Sequence, residues 1–531
     1  MDIYFLFVVI LFALAASDLV VGVSNDAVNF LNSAIGSKVG KRWLIMGVAS
    51  LGILFGVLFS SGMMEVARKG IFNPELFTFA HVMVIFLAVM LTDILLLDLF
   101  NTLGMPTSTT VSIVFELLGA AVAVSTFHLI QTGESLSELV NYINTSKAIL
   151  IISGIFLSIF VAFSAGVIAQ FISRLMFSFR YKERLNSVGP WWTGIAMTIL
   201  SYFIIIKGLK GSVFFNNDFN NWVQANNYWL VIANLIFWTA LSFGLQKYTK
   251  INILKVLVFV GTFSLALAFA SNDLVNFIGV PIAGFQSFMA WKGSGIGADS
   301  FMMDALGGKV PTPMIILVLA AAVMIITLWK SKKARTVTAT EINLSRQEEG
   351  NERFKPNWLA RTFVNLNQKL INYVFALLPE KMKHKIKKNY DRNNLKNEAK
   401  GASFDMVRAS VNLTIASMLI AIATSYKMPL STTYVSFMVA MGTSLADKAW
   451  GNGTAAHRVA GVLNVIGGWF MTAIIAFSIS AFFATLIFSW DLAGLTIVIL
   501  LVAAILFLSY RHHSRQQQEV ENEPEQGIVN G

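Results

Sequence analysis

Thirteen apolar runs punctuate the chain, near 3–23, 43–62, 76–100, 109–130, 147–173, 190–206, 228–246, 253–270, 312–329, 405–425, 431–446, 460–486 and 489–509. Most have the roughly 20 residues that a helix needs to cross the hydrocarbon core of a bilayer. Allowing for re-entrant pieces, they predict an all-α polytopic membrane protein with about twelve transmembrane helices. Only 13% of residues are charged, against about 25% in soluble domains. The first run carries Asp2 and no basic stretch ahead of it, so it reads as a retained helix and not as a signal peptide. With no cysteine there is neither a disulfide framework nor a thiolate metal site.

Against this background a polar stretch occurs twice, Ser24-Asn25-Asp26-Ala27-Val28-Asn29-Phe30 and Ser271-Asn272-Asp273-Leu274-Val275-Asn276-Phe277. Each copy follows directly on apolar residues, at the end of a membrane helix or inside it. A carboxylate there costs about 2.5–3.5 kcal/mol on insertion scales, and such groups mark ion or substrate sites. Helix capping is the bland alternative, since Ser, Asn and Asp are all good caps, but capping does not require the whole pattern to recur. A second element, Met105-Pro106-Thr107-Ser108-Thr109-Thr110, is repeated as Met428-Pro429-Leu430-Ser431-Thr432-Thr433. Proline in a first turn and Ser or Thr at a cap open a helix with hydroxyls and free N–H groups, an end that favours anions. Two acids, Asp93 and Asp98, sit in the third run and are expected to face the bundle interior; Glu116 lies in the fourth.

The net charge of +11 would suggest nucleic acid until it is located. Residues 330–400 hold 17 Lys and Arg against 7 Asp and Glu, so the basicity belongs to one loop, which reads as a cytoplasmic segment facing anionic lipid. Within it Phe363, Leu366, Leu370, Tyr373 and Leu377 recur at threes and fours, the pattern of an amphipathic surface helix. Lys38, Lys41 and Arg42, then Arg174 to Arg184, then Lys247 to Lys255 place alternate ends inside, which sets the N-terminus outside. The expected organisation is a first transmembrane repeat over 1–206, a linker span at 207–252, the first part of a second repeat at 253–329, the basic insertion at 330–400, its second part at 401–510, and a disordered tail at 511–531.

Spacing supports the repeats. The Asn-Asp copies are 247 residues apart and the Pro-x-Ser-Thr-Thr copies 323, a difference close to the length of the basic insertion. Ala162-Phe163-Ser164 recurs as Ala476-Phe477-Ser478 in the same order. The two Asn-Asp copies follow spans that begin on opposite sides, so the halves read as inverted, the sign of a secondary transporter.

These four motifs in order resemble the inorganic phosphate transporters of the cation-coupled type, with a duplicated Gly-x-Asn-Asp-x-x-Asn signature and a duplicated Pro-x-Ser-Thr-Thr element. The resemblance covers all but the basic loop and tail. It implies two inverted repeats with re-entrant hairpins in the plasma (inner) membrane, and symport of inorganic phosphate with Na+ or H+. Carried over by match, Ser108, Thr109, Thr110, Ser431, Thr432, Thr433, Asn25 and Asn272 would bind substrate, and Asp26, Asn29, Asp273 and Asn276 the cations. This sequence departs from the pattern with Val23 and Ala270 at the signature Gly, Val111 and Tyr434 where a His is common, and uncharged Ala49 and Asn412 where an acid is common.

The chemistry agrees with that reading. Neutral donors from two helix starts can hold a tetrahedral dianion without the tight bidentate grip of arginine. Asp26 and Asp273 beside a dianion would repel it by roughly 4 kcal/mol at about 4 Å and an effective dielectric near 20, so cations must enter with the anion. Carboxylate and amide oxygens suit small hard cations. No cofactor, no nucleic acid and no metal beyond Na+ is expected; the partners are phosphate and membrane lipid, and a homodimer is allowed. A sulfate or other oxyanion permease of the same fold is the alternative. A passive channel does not need paired acids, and an enzyme would need a base beside Ser or Thr.

Overall fold

Both Asn-Asp stretches lie in the middle of helices. In the computed structural model α1 (Ile3–Asp26) passes through Ala27, itself helical at φ −55° and ψ −27°, into α2 (Val28–Gly36), and the ladder continues with Ala27 N–H bonding Val23 O at 3.0 Å. The second copy sits inside one 40-residue helix, α9 (Ile253–Lys292), which runs through Pro281. Neither copy is a cap. The expected end of a span at residue 270 is therefore corrected: the apolar residues on both sides of the motif keep a single helix buried, and its polar residues are enclosed within it.

The structure describes residues 3–58, 60, 70–207, 221–223, 225–308, 312–347, 354–391, 401–448 and 455–522. Most of the turn at 63–75, most of the polar stretch 207–227, parts of the basic loop and the last nine residues lie outside that set. The other main helices are α3 (Arg42–Leu58), α4 (Phe79–Leu103), α5 (Thr109–Thr132), α6 (Thr145–Phe177), α7 (Tyr181–Ser201), α8 (Asn227–Tyr248), α10 (Met314–Lys330), α11 (Lys333–Ser345), α12 (Trp358–Leu377), α13 (Glu380–Asn389), α14 (Met406–Ser425), α15 (Thr432–Ala446) and α16 (Ala455–Asn522). Among the described residues eight helices are long and apolar enough to cross a membrane, nine if the bent α10–α11 pair counts as one. The chain is thus a multi-pass, all-helical membrane protein. At 15 residues α15 is about 22 Å long, too short to span a core of about 30 Å. The expected runs 460–486 and 489–509 fall in α16, which turns at Asp491, φ 48°.

Helix packing exchanges partners between the two halves. In the first half α1 packs on α4, and in the second α9 packs on α14; α5 packs on α16 and α15 on α6; α3 packs on α9 and α10 on α1. The matched Ala-Phe-Ser stretches sit at equivalent contacts. Gly119 of α5 meets the Phe477 backbone so closely that a Cβ would stand 2.2 Å from its carbonyl oxygen, and Gly442 of α15 meets the Phe163 carbonyl in the same way at 2.3 Å. Only glycine permits these approaches, which bring helix backbones into direct contact where lipid gives no hydrophobic drive to association.

Two expectations need revision here. The basic insertion does not begin at 330 as a peripheral loop: α11 is packed into the bundle, with Ala334, Val337, Glu341 and Leu344 buried. Its apolar stripe faces α2 and α1, which outweighs its membership of a basic segment. The tail does not begin at Arg511 either, since α16 continues as helix to Asn522. Further on, α12 is a helix with Trp358, Leu359, Phe363, Leu366, Tyr373 and Leu377 exposed.

Candidate functional site

The two Pro-x-Ser-Thr-Thr elements each follow a helix that stops abruptly. Gly104 ends α4 in the left-handed region at φ 62°, where glycine carries no Cβ penalty. Its counterpart Lys427 adopts the same conformation at φ 55° after α14. The chain then extends through proline and re-enters a helix, capped by Ser108 Oγ accepting from Val111 N–H and by Ser431 Oγ accepting from Tyr434 N–H, both at 3.1 Å. These two serines are therefore helix caps, and the threonines that follow are the residues aimed into the bundle centre.

There the halves interlock. Asn29 Nδ2 donates to Thr432 and Thr433 Oγ1 at 3.3 and 3.0 Å, and Asn276 Nδ2 donates to Thr109 and Thr110 Oγ1 at 3.1 and 3.0 Å. The asparagine of each Asn-Asp stretch thus binds the threonine pair of the other half. Asp26 Oδ2 accepts from Thr109 at 3.0 Å and its Oδ1 from Thr433 at 3.1 Å, so it touches both halves; Asp273 Oδ2 accepts from Thr432. Thr110 Oγ1 lies within hydrogen-bond reach of Asp273 as well and meets Leu430 O at 3.1 Å, so each carboxylate faces one threonine from each half. Asn25 takes a different position: it donates to Asn101 Oδ1 at 2.9 Å and Met105 O at 3.2 Å and accepts from Thr107 N–H at 2.9 Å, holding the approach to the first hydroxyl cluster. Asn272 meets Thr424 Oγ1 at 2.8 Å on the corresponding strut of the second half. All twelve residues are at most 2% exposed, so water does not screen them. Behind the first cluster, Trp469 Nε1 donates to Pro106 O at 3.2 Å and stacks on Tyr434 at 3.9 Å between centroids.

Three carboxylates extend the site on one side. Asp18 of α1, Asp93 of α4 and Glu116 of α5 are fully buried and within electrostatic reach of one another, and Asp26 lies within reach of Asp18. Ser112 Oγ donates to Glu116 Oε1 at 2.6 Å, and Asp93 lies within hydrogen-bond reach of Asp18, Ser112 and Glu116, so the three carboxyls face one another. Leu265, Ala416 and Val439 stand at the corresponding places of the second half, so the trio is one-sided and no repeat pattern announced it. Asp98, expected inside as a site member or as the partner of a polar group, is buried and takes the second part, meeting Lys333 Nζ at 2.5 Å and Ser509 Oγ at 2.5 Å. Asn412, one of the uncharged departures, donates to Ser33 Oγ at 3.2 Å and accepts from Thr443 Oγ1 at 2.7 Å. An acid reaches the same stretch of α2 from elsewhere, because Glu341 of α11 accepts from Asn32 Nδ2. Asp18 and Glu341 escaped the sequence reading: each is a single acid in an unremarkable context, and only packing gives it neighbours.

A helical membrane bundle that encloses paired amides, carboxylates and hydroxyls from both halves of its chain is built as a solute carrier is built. The model of the phosphate transporter family matches residues 22–338, and the chain belongs to that family. Among curated relatives, a protein named as a phosphate permease of Thermococcus kodakarensis is 23% identical over 300 residues, 55% of this chain and 67% of that one. One so named of Pyrococcus furiosus is 24% identical over 301 residues, 56% and 66%. One of Helicobacter pylori is 23% identical over 339 residues, 61% and 58%. The aligned part is thus about two thirds or less of each relative's length. A solved structure titled "The sodium-dependent phosphate transporter" superposes with a TM-score of 0.61, covering 92% of this chain and 100% of that one. At 15% identity it speaks for the fold.

Proposed function

We propose that the protein is a secondary transporter that imports inorganic phosphate by symport with Na+ or H+, in two inverted repeats whose threonine pairs meet at the anion. The observation that carries this is the crossed pairing of Asn29 with Thr432 and Thr433 and of Asn276 with Thr109 and Thr110. It brings four hydroxyls from opposite halves beside two carboxylates, in a space closed to water. Amide donors polarise those hydroxyls, which can turn from Asp26 and Asp273 toward a tetrahedral oxyanion when cations take over the carboxylates. Ser108 and Ser431 support the geometry as caps and leave N–H groups of the first turn for the anion.

Electrostatics makes the coupling obligatory. Asp26, Asp273, Asp18, Asp93 and Glu116 share one low-dielectric interior in which, among the described residues, no arginine or lysine forms an ion pair with them, and a dianion added to them needs several positive charges. The trio supplies a station on the path of those charges, beside Asp26. Sodium and protons both satisfy the argument. Uptake of labelled phosphate by proteoliposomes separates them: an imposed inward sodium gradient at equal pH drives accumulation in one case, and an inward proton gradient in the other. Uptake indifferent to both gradients, or competed equally by sulfate, refutes the reading.

A further inference from the structure

A row of buried polar side chains leaves the central site along α2. One turn beyond Asn29 come Asn32 and Ser33, then Ser37, each at most 4% exposed. Asn412 bonds Ser33 and Thr443, and Arg408 Nε donates to the same Thr443 hydroxyl at 3.3 Å. Apolar residues would pack this face without the desolvation penalty that amides and hydroxyls carry. A row of them gives a solute leaving the centre successive polar partners.

The row ends beneath α11. This helix turns from α10 by 68° and lies against α2. Glu341, fully buried, accepts from Asn32 through Oε1, while Oε2 is buried without a hydrogen-bond partner among the described residues. The far end is held by two fully buried arginines: Arg408 Nη2 donates to Ser345 O at 2.6 Å and Arg458 Nη1 to Arg346 O at 2.5 Å. They meet the carbonyls that a helix end leaves free, at the negative end of its dipole. A lid built to stay shut would be apolar or fully paired, whereas a half-paired buried carboxylate destabilises the closed position by about 1–3 kcal/mol. Such a margin is what an element with two positions requires.

We propose that α11 is the gate at the basic-loop end of the transport path, and that Glu341 is the residue that positions it shut by pairing with Asn32. The proposal rests on the phosphate-symport reading. With α11 in place the Asn32–Ser33–Asn412 row is covered. Parting of Asn32 from Glu341 uncovers it and takes the Ser345 carbonyl away from Arg408. The first half of the chain thereby gains an acid on its path from outside both repeats.

The cysteine-free chain makes the test direct. In Asn32→Cys/Glu341→Cys uptake is read against the reduced form of the same variant: oxidation to the disulfide lowers it by about tenfold or more, and dithiothreitol restores the reduced level, as expected when a gating step is blocked. Binding of inorganic phosphate to the oxidised protein in detergent stays within about twofold, because a cross-link at α11 leaves the opposite face free to open to the centre. Uptake that persists after complete cross-linking overturns the gate. Should the double variant fail to fold, Lys333→Cys/Asp98→Cys, bridged by a short bis-methanethiosulfonate, carries the same expectation and the same refutation. As a second readout, Ser33→Cys reacts with a charged maleimide about fivefold faster or more when Glu341→Ala is added, since the positioning bond is gone. Equal labelling rates overturn the role of Glu341. Absence of phosphate binding in the unmodified chain refutes the symport reading instead, and leaves the labelling rates to judge the gate.

Discussion

Thr433 and Thr110 hold equivalent places in the two hydroxyl clusters and serve equivalent partners, and this symmetry is measurable. Thr433 Oγ1 donates to the Asp26 carboxylate at 3.1 Å and accepts from Asn29 at 3.0 Å, while Thr110 Oγ1 lies within hydrogen-bond reach of the Asp273 carboxylate, meets Leu430 O at 3.1 Å and accepts from Asn276 at 3.0 Å. Valine keeps the volume and removes only the hydroxyl. On binding, each hydroxyl exchanges its resting acceptor for a phosphate oxygen, so its removal costs the net worth of one hydrogen bond, about 0.5–1.5 kcal/mol. Thr433→Val and Thr110→Val should therefore each weaken phosphate binding by roughly 2- to 12-fold. Titration calorimetry with phosphate in saturating coupling cation reads both constants. Because both hydroxyls act on one ligand, the double variant should depart from additivity by about 0.5 kcal/mol or more. No loss in either single variant, or losses that simply add, refutes a shared anion site built from both halves.

Three further outcomes are expected. Asp26→Asn and Asp273→Asn each abolish gradient-driven uptake while the protein still inserts and purifies as a folded species, because removal of a buried charge relieves a burden of about 2.5–3.5 kcal/mol; normal uptake in both contradicts the cation-site reading. Gly119→Ala and Gly442→Ala each push a Cβ to within 2.2–2.3 Å of a neighbouring carbonyl oxygen; overpacking should lower stability by about 1–3 kcal/mol, seen as a lower thermal midpoint in detergent. Replacing α12 by a flexible linker of equal length should keep more than about half of uptake, since its apolar residues face outward, whereas a deletion that reaches back to residue 340 should abolish folding by removing Glu341 and Leu344 from the bundle; fluorescence size-exclusion of the two variants checks this.

The sequence by itself determined the class of fold and named the residues that the structure gathers at the candidate site. Apolar runs of membrane length admit little besides helices, and a polar motif that recurs in order within such runs marks its own importance, so Asn25, Asp26, Asn29 and their counterparts were legible without coordinates. What lay beyond it were interactions made between elements far apart in the chain. That Asn29 meets Thr433 and Asn276 meets Thr110 is set by the exchange of helices between halves, and spacing along one helix carries no information about it. That Ser108 and Ser431 cap while the threonines after them face the centre depends on where each helix begins. Asp18 gained its acidic neighbours Asp93 and Glu116 only when α1, α4 and α5 packed together. Glu341 stood in a segment whose average charge argued for solvent, and its burial follows from an apolar stripe too short to rise above that average. Local composition fixes which residues cannot rest in lipid, and tertiary packing alone decides which partners relieve them.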